Sequence, residues 1–238
     1  ATTLKRMYNS TNMDSGPTAR GLITLNEKSG CKIQGLQIDG NKATYTASYN
    51  YGIYLSSSSN NTVTGNTCNN NGSSGIYLYS SSSDNTVTGN TCNNNYYGIS
   101  LYSSSNNTVT GNIYNNNNYG IYLSALSSDN TVTGNTCNNN NSYGIYLYSS
   151  SDNTVTSNTC NNNNSYGFCL GYSSNNTTTG NTCNNNNDGG IYLGVSSNNT
   201  ITGNTCNNNN ICGITLFLSS DNTITGNTCI RGIGTPED

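Results

Sequence analysis

Histidine and tryptophan are absent from this 238-residue chain, and proline, methionine and phenylalanine occur twice each. Without histidine there is no imidazole metal ligand and no side chain whose ordinary titration lies near neutral pH. Cations are missing over most of the length. Lys5, Arg6, Arg20, Lys28, Lys32 and Lys42 precede residue 43, Arg231 stands near the end, and nothing basic lies between. Phosphate backbones and anionic lipid surfaces are gripped by clustered cations. Nucleic acid and the membrane surface are therefore excluded as partners. No apolar run approaches the roughly 20 residues of a membrane-spanning helix, which excludes insertion of that kind. No leader pattern opens the chain, as expected of a mature form or a fragment.

Charge of either sign is scarce, at 7% of residues with a net of −3. Mean hydropathy is also low, −0.60. Low hydropathy predicts disorder only when joined to high net charge. What fills the chain instead is Asn, Ser, Thr, Gly and Tyr, a vocabulary of strands and turns.

Those residues repeat. "NNTVTGNTCNNN" begins at Asn60, "DNTVTGNTCNNN" at Asp84 and "DNTITGNTCIRG" at Asp221. Cysteines at 68, 92, 137, 160, 183, 206 and 229, with Tyr114 in the vacant slot, are spaced by 24, 22 and then five times 23 residues. Five residues always separate the Val or Ile of "TVT" from that slot, so length changes fall in the Ser-rich and Asn-rich stretches. Loops absorb insertions, and these stretches are read as corners.

Alternation in "GIYLY" sends Ile76 and Leu78 to one side and Tyr77 and Tyr79 to the other. In "TVT", Val63 points inward between outward Thr62 and Thr64. Strands this short bury a core only by stacking, at about 4.8 Å per copy. Three short strands per repeat predict an all-β, three-sided solenoid of about 23 residues per rung. Asn suits its corners because it tolerates the left-handed region, and stacked Asn side chains can form ladders. The boundaries expected are irregular opening rungs over 1–48, an eight-rung repeat over 49–230 and a tail over 231–238.

"YGIYLSSSSNNTVTGNTCNNN" and its copies resemble the right-handed parallel β-helix repeats of the NosD-like and pectate-lyase-like superfamily, across about residues 49–230. "GLITLNEKSGCKIQGLQIDGNK" at 21–42 resembles the first rungs of such proteins more weakly. The right-handed coil is implied by this resemblance. Function is not, because the superfamily spans lyases, hydrolases, phage spikes, surface proteins and a copper-enzyme accessory protein.

The column Cys68, Cys92, Cys137, Cys160, Cys183, Cys206 and Cys229 reads first as core packing. Aligning the first rung puts Ile38 in the same slot, and a slot that accepts Ile, Cys and Tyr is inward; free Cys behaves as a small buried hydrophobe. Disulfides between rungs are an alternative, but parallel side chains suit the bond poorly. A metal or redox column is another, although tetrahedral sites need converging ligands. Cys31, Cys169 and Cys212 lie off the column and are expected to be more reactive or crosslinked.

Three outward lines could carry function. The first is a grid of Thr pairs: Thr62 and Thr64, Thr86 and Thr88, Thr108 and Thr110, Thr131 and Thr133, Thr154 and Thr156, Thr177 and Thr179, Thr200 and Thr202, Thr223 and Thr225. It is expected on the surface and resembles the Thr-x-Thr face of ice-binding solenoids. Tyr54, Tyr77, Tyr122, Tyr146 and Tyr192 form an aromatic line, with Tyr79, Tyr102, Tyr148 and Phe217 beside it; exposed aromatics suit glycan stacking or protein contact. Asp84, Asp129, Asp152 and Asp221 share a corner slot with Asn60, Asn106, Asn175 and Asn198, which favours a turn role, with Ca²⁺ between Asp129 and Asp152 as the alternative.

Catalysis on this fold uses acids and bases converging on one groove, and the repeat has no Lys, Arg or His. The expectation is therefore a non-enzymatic structural or adhesive solenoid, extracellular or on the cell surface, with no catalytic residues, resident metal or cofactor. Its ends show no polar cap, so other copies of itself, stacked end to end in a filament, are the expected partner. Ice binding by the Thr grid and polysaccharide binding or cleavage are the alternatives.

Overall fold

The structure is a computed structural model and describes residues 3–9, 20–47 and 49–231. All but the first residue of the expected tail lies outside the described residues. Two nine-stranded sheets run the length of the solenoid, and every pairing is parallel and joins one rung to the next. The first sheet holds the six-residue strands such as Tyr51–Ser56, Ser74–Tyr79, Tyr97–Tyr102 and Tyr119–Ser124. The second is built of "TVT" strands, from Lys32–Gln34 and Thr62–Thr64 to Thr223–Thr225. A third face has three strands, Thr3–Lys5, Gln37–Asp39 and Thr67–Asn69. It continues as single parallel bridges from Thr67 through Thr91, Ile113 and Thr136 to Thr228. The expected third strand thus narrows to one paired residue per rung, since "NTC" is held between two corners.

The core is one apolar column fed by all three faces: Ile76 and Leu78 from the first, Val87 from the second and Cys92 from the third, with their counterparts above and below. The cysteines from Cys68 to Cys206 are buried, and all ten in the chain are free thiols. Cys229, in the last described turn, is exposed. The glycine before each inward Ile explains the choice of cysteine. A Cβ on Gly75 would lie 2.6 Å from the Cβ of Cys92, and one on Gly98 2.8 Å from that of Tyr114. The third-face residue fills the space that glycine leaves.

Corners carry the polar load. Buried backbone groups must find partners, and internal Asn ladders supply them at the three turns. Asn112 is typical. Its Nδ2 donates to the Val87 carbonyl and to Asn135 Oδ1, each at 3.0 Å, and Asn135 Oδ1 also accepts the Asn112 backbone N–H at 3.0 Å. Ser58, Ser82, Ser104 and Ser127 form a buried serine line in the same style. The neighbouring exposed corner residues, Asn60, Asp84, Asn106 and Asp129, have φ of 58°, 57°, 59° and 56°. Asn and Asp are the non-glycine residues that enter this region most readily. Interchange of the two at this slot therefore follows from turn geometry. Arg6, fully buried, donates to the Tyr51 carbonyl at 2.7 Å and pins the start of the first sheet.

Candidate functional site

The outward side of the first sheet is paved with tyrosine in three columns. The middle column runs Tyr54, Tyr77, Ser100, Tyr122, Tyr146, Cys169 and Tyr192 in register. The second runs Ser56, Tyr79, Tyr102, Ser124, Tyr148 and Gly171. The third comprises Tyr51, Ser74, Tyr97, Tyr119, Tyr143, Tyr166 and Gly189. Simple alternation does not reveal it, because it places Tyr97 on the same side as Ile99. The inward glycine between them breaks the alternation: pairing is registered at Tyr97 and Ile99 and skips Gly98. The residue before glycine is thereby turned outward. The "YG" dipeptides at Tyr51, Tyr97, Tyr119, Tyr143 and Tyr166 were the available signal.

Ring contacts sort the tyrosines into two stacks. One contains Tyr51, Tyr54, Tyr77, Tyr79 and Tyr102, with centroids 4.8–6.3 Å apart. The other begins at Tyr96 and Tyr97 and passes through Tyr119, Tyr122, Tyr143 and Tyr146 to Tyr166 and Tyr192. Tyr97 and Tyr122 lie almost parallel, 5.1 Å apart at 10°. Between the stacks, serine replaces tyrosine once in each column and on successive rungs: Ser74, Ser100 and Ser124. Register turns these three substitutions into a diagonal trench. Its cleft, about 250 Å³, is lined by Tyr51, Ser73, Ser74, Tyr77, Tyr97, Ser100, Tyr102, Tyr122 and Ser124.

No lining residue except tyrosine carries an ionisable group. Burial pushes the Tyr51 phenol up to about 12 and raises those of Tyr77, Tyr97 and Tyr122, with neighbouring phenols adding to the shift at Tyr77 and Tyr97. These hydroxyls therefore stay protonated at neutral pH and can donate as well as accept. The cleft offers phenols and ring edges above a floor of Ser74, Ser100 and Ser124, all buried.

The Thr pairs stand in register on the second sheet, away from the tyrosines. They are less open than a surface ladder implies. Only Thr154, Thr177, Thr223 and Thr225 are exposed. Thr62, Thr64, Thr86, Thr88, Thr108, Thr110, Thr131, Thr133, Thr156, Thr179, Thr200 and Thr202 are half-buried, which corrects the expectation of a fully exposed grid. The cause is the stacking itself: each Thr has an in-register Thr against it on the neighbouring rung, about 4.8 Å away. Thr156 Oγ1 donates to Thr133 Oγ1 at 3.0 Å, and the hydroxyls of Thr202 and Thr225 lie 2.8 Å apart. Hydroxyls so engaged are partly turned from solvent to one another.

Tyr102 and Tyr148 are exposed, whereas Tyr54 is only 1% exposed, covered by the rings around it. It is part of the platform rather than its surface. Cys169, expected to be reactive, is buried in the middle column with its thiol raised to about 12 by desolvation. Ser165 donates to Asp188 Oδ2, which sits near Tyr143 and Tyr166, beyond the cleft.

Residues 6–165 match the family model described as periplasmic copper-binding protein (NosD). This chain belongs to the NosD family. Residues 126–235 also match a right-handed β-helix region, and the solenoid is a right-handed parallel β-helix. No curated protein matches the chain. Among solved structures, it is similar to the periplasmic alginate epimerase AlgG, at 18% identity and TM-score 0.70, covering 85% of this chain and 61% of that one. The A-module of the Azotobacter vinelandii mannuronan C-5 epimerase AlgE4 matches at 16% and 0.62, covering 91% and 76%. The Dettilon tailspike protein matches at 15% and 0.64, covering 88% and 54%. The chain thus spans about three-fifths of the length of AlgG.

These likenesses overturn the expectation of a non-enzymatic chain. That expectation rested on the absence of His, Lys and Arg from the repeat, yet the matching structures include epimerases. Catalysis can be built from other groups, and phenols and carboxylates remain along this face. The copper in the family description finds no fit. The chain has no histidine. Among the described residues no three His, Cys, Asp or Glu side chains converge on a point where a metal could sit. The buried cysteines run in a row; burial raises Cys92 and Cys160, and a hydrogen bond with the Cys160 thiol together with burial raises Cys183, away from the thiolate form that a soft metal needs. Met7 is exposed and Met13 lies outside the described residues.

Proposed function

We propose that this NosD-family β-helix acts on a polysaccharide laid against its tyrosine face, with the serine-floored cleft between the two ring stacks as the seat of a sugar unit. The carrying observation is the trench itself. Serine interrupts the columns at Ser74, Ser100 and Ser124 on consecutive rungs, and the cleft lies there, between Tyr51 and Tyr77 of one stack and Tyr97 and Tyr122 of the other. Aromatic faces beside hydroxyl donors and acceptors are the surfaces on which sugars stack. Likeness to epimerases named for alginate and mannuronan supports a polysaccharide as the class of substrate. The groups in the cleft able to move a proton are the phenols of Tyr51, Tyr77, Tyr97 and Tyr122. A periplasmic or extracellular setting fits the family description and AlgG. The test is retention on a panel of polysaccharides followed by product analysis. Tyr77→Ala and Tyr122→Ala should each weaken retention at least tenfold; no retention on any polysaccharide would sink the reading.

The second sheet supports another reading. Sixteen Thr residues in register give a flat, uncharged grid that could order water as ice does. Thermal hysteresis at millimolar protein, lost in Thr133→Tyr, is its test.

A further inference from the structure

We infer that a second sugar subsite adjoins the tyrosine cleft and takes an acidic unit, a uronate whose carboxylate meets Lys42; this rests on the polysaccharide reading above. The hollow lies at the corner that leads into the first sheet. It holds about 260 Å³, and Lys42, Gly72, Tyr96, Asn116, Asn118 and Asn141 are among its walls. It shares a side with the cleft. Gly72 and Tyr96 line this hollow, whereas Ser73 and Tyr97, the next residues along the chain, line the cleft. The Tyr96 and Tyr97 rings stand edge to face, with centroids 4.7 Å apart. A glycan chain crossing this pair would set neighbouring units on its two sides.

Lys42 is fixed at this corner by an irregular loop between two rungs. Its backbone N–H donates to the Asn70 carbonyl at 2.9 Å, and its ammonium donates to the Asn94 carbonyl. A Cβ on Gly72 would lie 2.6 Å from the Ala47 carbonyl, so glycine lets the loop settle against the repeat. An ammonium has three donors, and two remain for a ligand. Partial desolvation lowers the Lys42 amine from its ordinary value. An entering carboxylate offsets that loss of water, which a neutral sugar does not. Asp39, the nearest acid in sequence, is turned instead to the Asn41 N–H and Asn70 Nδ2. Amides widen the match. Asn117 and Asn140 of the same turns are engaged in the internal ladder. The side chains of Asn116, Asn118 and Asn141 make no hydrogen bond to the described residues, which leaves their Nδ2 groups to donate to a carboxylate or a sugar hydroxyl. Tyr96 is 46% exposed and turns its ring to solvent, unlike the covered Tyr54. A sugar stacked there has its charged group within the reach of a flexible lysine. At the other edge of the cleft, Arg20 adds positive potential beside Tyr51.

The experiment compares hexamannuronate and hexagalacturonate with cellohexaose by calorimetry at low and high salt, on the full chain. A hexauronate should bind more tightly than cellohexaose, and salt should weaken the first and leave the second unchanged. Lys42→Gln, at an exposed loop position, should retain the circular dichroism spectrum. It should cut hexauronate affinity about fivefold, the upper end for one partly exposed ion pair, and flatten its salt dependence. Lys42→Arg, which keeps the charge, should restore both. Cellohexaose binding as tightly as either hexauronate would overturn the inference and leave the polysaccharide reading intact. Hexauronate binding that Lys42→Gln leaves unchanged, with its salt dependence, would do the same. If neither hexauronate binds while another polysaccharide is retained, the inference alone falls; if no polysaccharide is retained, both fall.

Discussion

Replacing Asn135 by alanine tests whether the internal ladders, rather than the apolar column alone, hold this solenoid. Asn135 is 1% exposed and makes four side-chain bonds. Its Nδ2 donates to the Val109 carbonyl at 3.0 Å and to Asn158 Oδ1 at 2.9 Å. Its Oδ1 accepts the Asn112 N–H and Asn112 Nδ2, both at 3.0 Å. Not all four losses are equal. Asn158 Oδ1 keeps the Asn135 backbone N–H, and Asn112 Nδ2 keeps the Val87 and Thr110 carbonyls. The Val109 carbonyl keeps the Thr133 N–H of the strand ladder, so the Asn112 N–H is the group that loses the partner the Asn ladder supplied. A buried group left unpaired costs about 1–3 kcal/mol before any cavity is counted. For a chain of this size that corresponds to a fall in Tm of at least about 2 °C. Thr154→Ala, at an exposed position of the Thr grid on the next rung, is the control and should stay within about 0.5 kcal/mol. Calorimetry and urea midpoints on both variants decide it. A loss below about 1 kcal/mol for Asn135→Ala would refute the reasoning, because the Asn ladders would then be ornament on a core that folds without them.

Tyr114→Phe should stabilise the chain by about 1 kcal/mol, since the Tyr114 hydroxyl is fully buried and has no hydrogen-bond partner; a lower Tm would show that the hydroxyl is satisfied. Thiol labelling of the native chain near pH 8 should reach Cys31, Cys212 and Cys229 and spare the other seven until denaturant is added; rapid reaction of Cys92 or Cys160 would contradict the packed column. Cys229, raised to about 11 by partial burial and the Cys206 thiol, should label faster as pH climbs towards that value. Alkaline stability follows from the phenols. Tyr51 is raised from 10.0 to about 12, so the folded chain keeps a proton that the unfolded chain gives up near 10. This stabilisation is complete below pH 10 and lost between 10 and 12, and urea midpoints that stay level across that window would count against the buried tyrosine face.

The fold was legible because one repeat states it many times. Each copy offers the same apolar phase, Val87 or Val109 five residues before Cys92 or Tyr114, and errors in reading one rung are corrected by the next. The inward placement of the cysteines was legible for a related reason: Ile38 and Tyr114 share their slot, and only packing tolerates all three. Legibility stopped where the backbone departs from strict alternation. The glycines at 52, 98 and 120 point into the core against Cys68, Tyr114 and Cys137. They turn Tyr51, Tyr97 and Tyr119 outward, so a whole tyrosine column lay on the wrong side of the period-two pattern. A related limit applies to Tyr54 and to Thr88, Thr156, Thr179 and Thr202. Alternation gives the direction in which a side chain points, whereas its exposure is set by neighbours on other rungs.

The cleft was harder still to see, and the reason bears on how function sits in repeat proteins. Ser74, Ser100 and Ser124 occupy three different positions of the repeat. Along the sequence each is a single departure from consensus, no more notable than Thr178 in a valine slot. Only the pairings that set Tyr97 beside Ser74, Tyr77 beside Ser100 and Tyr102 beside Ser124 align them across the sheet. A solenoid multiplies whatever its consensus specifies, so a conforming residue says little about a site. A site able to hold one ligand must break the translational symmetry, and departures from consensus that become neighbours in register are where that break is made. The stretch without cations between residues 43 and 230 misleads in the opposite direction: it removes the bases by which enzymes are usually found and so reads as a chain without chemistry.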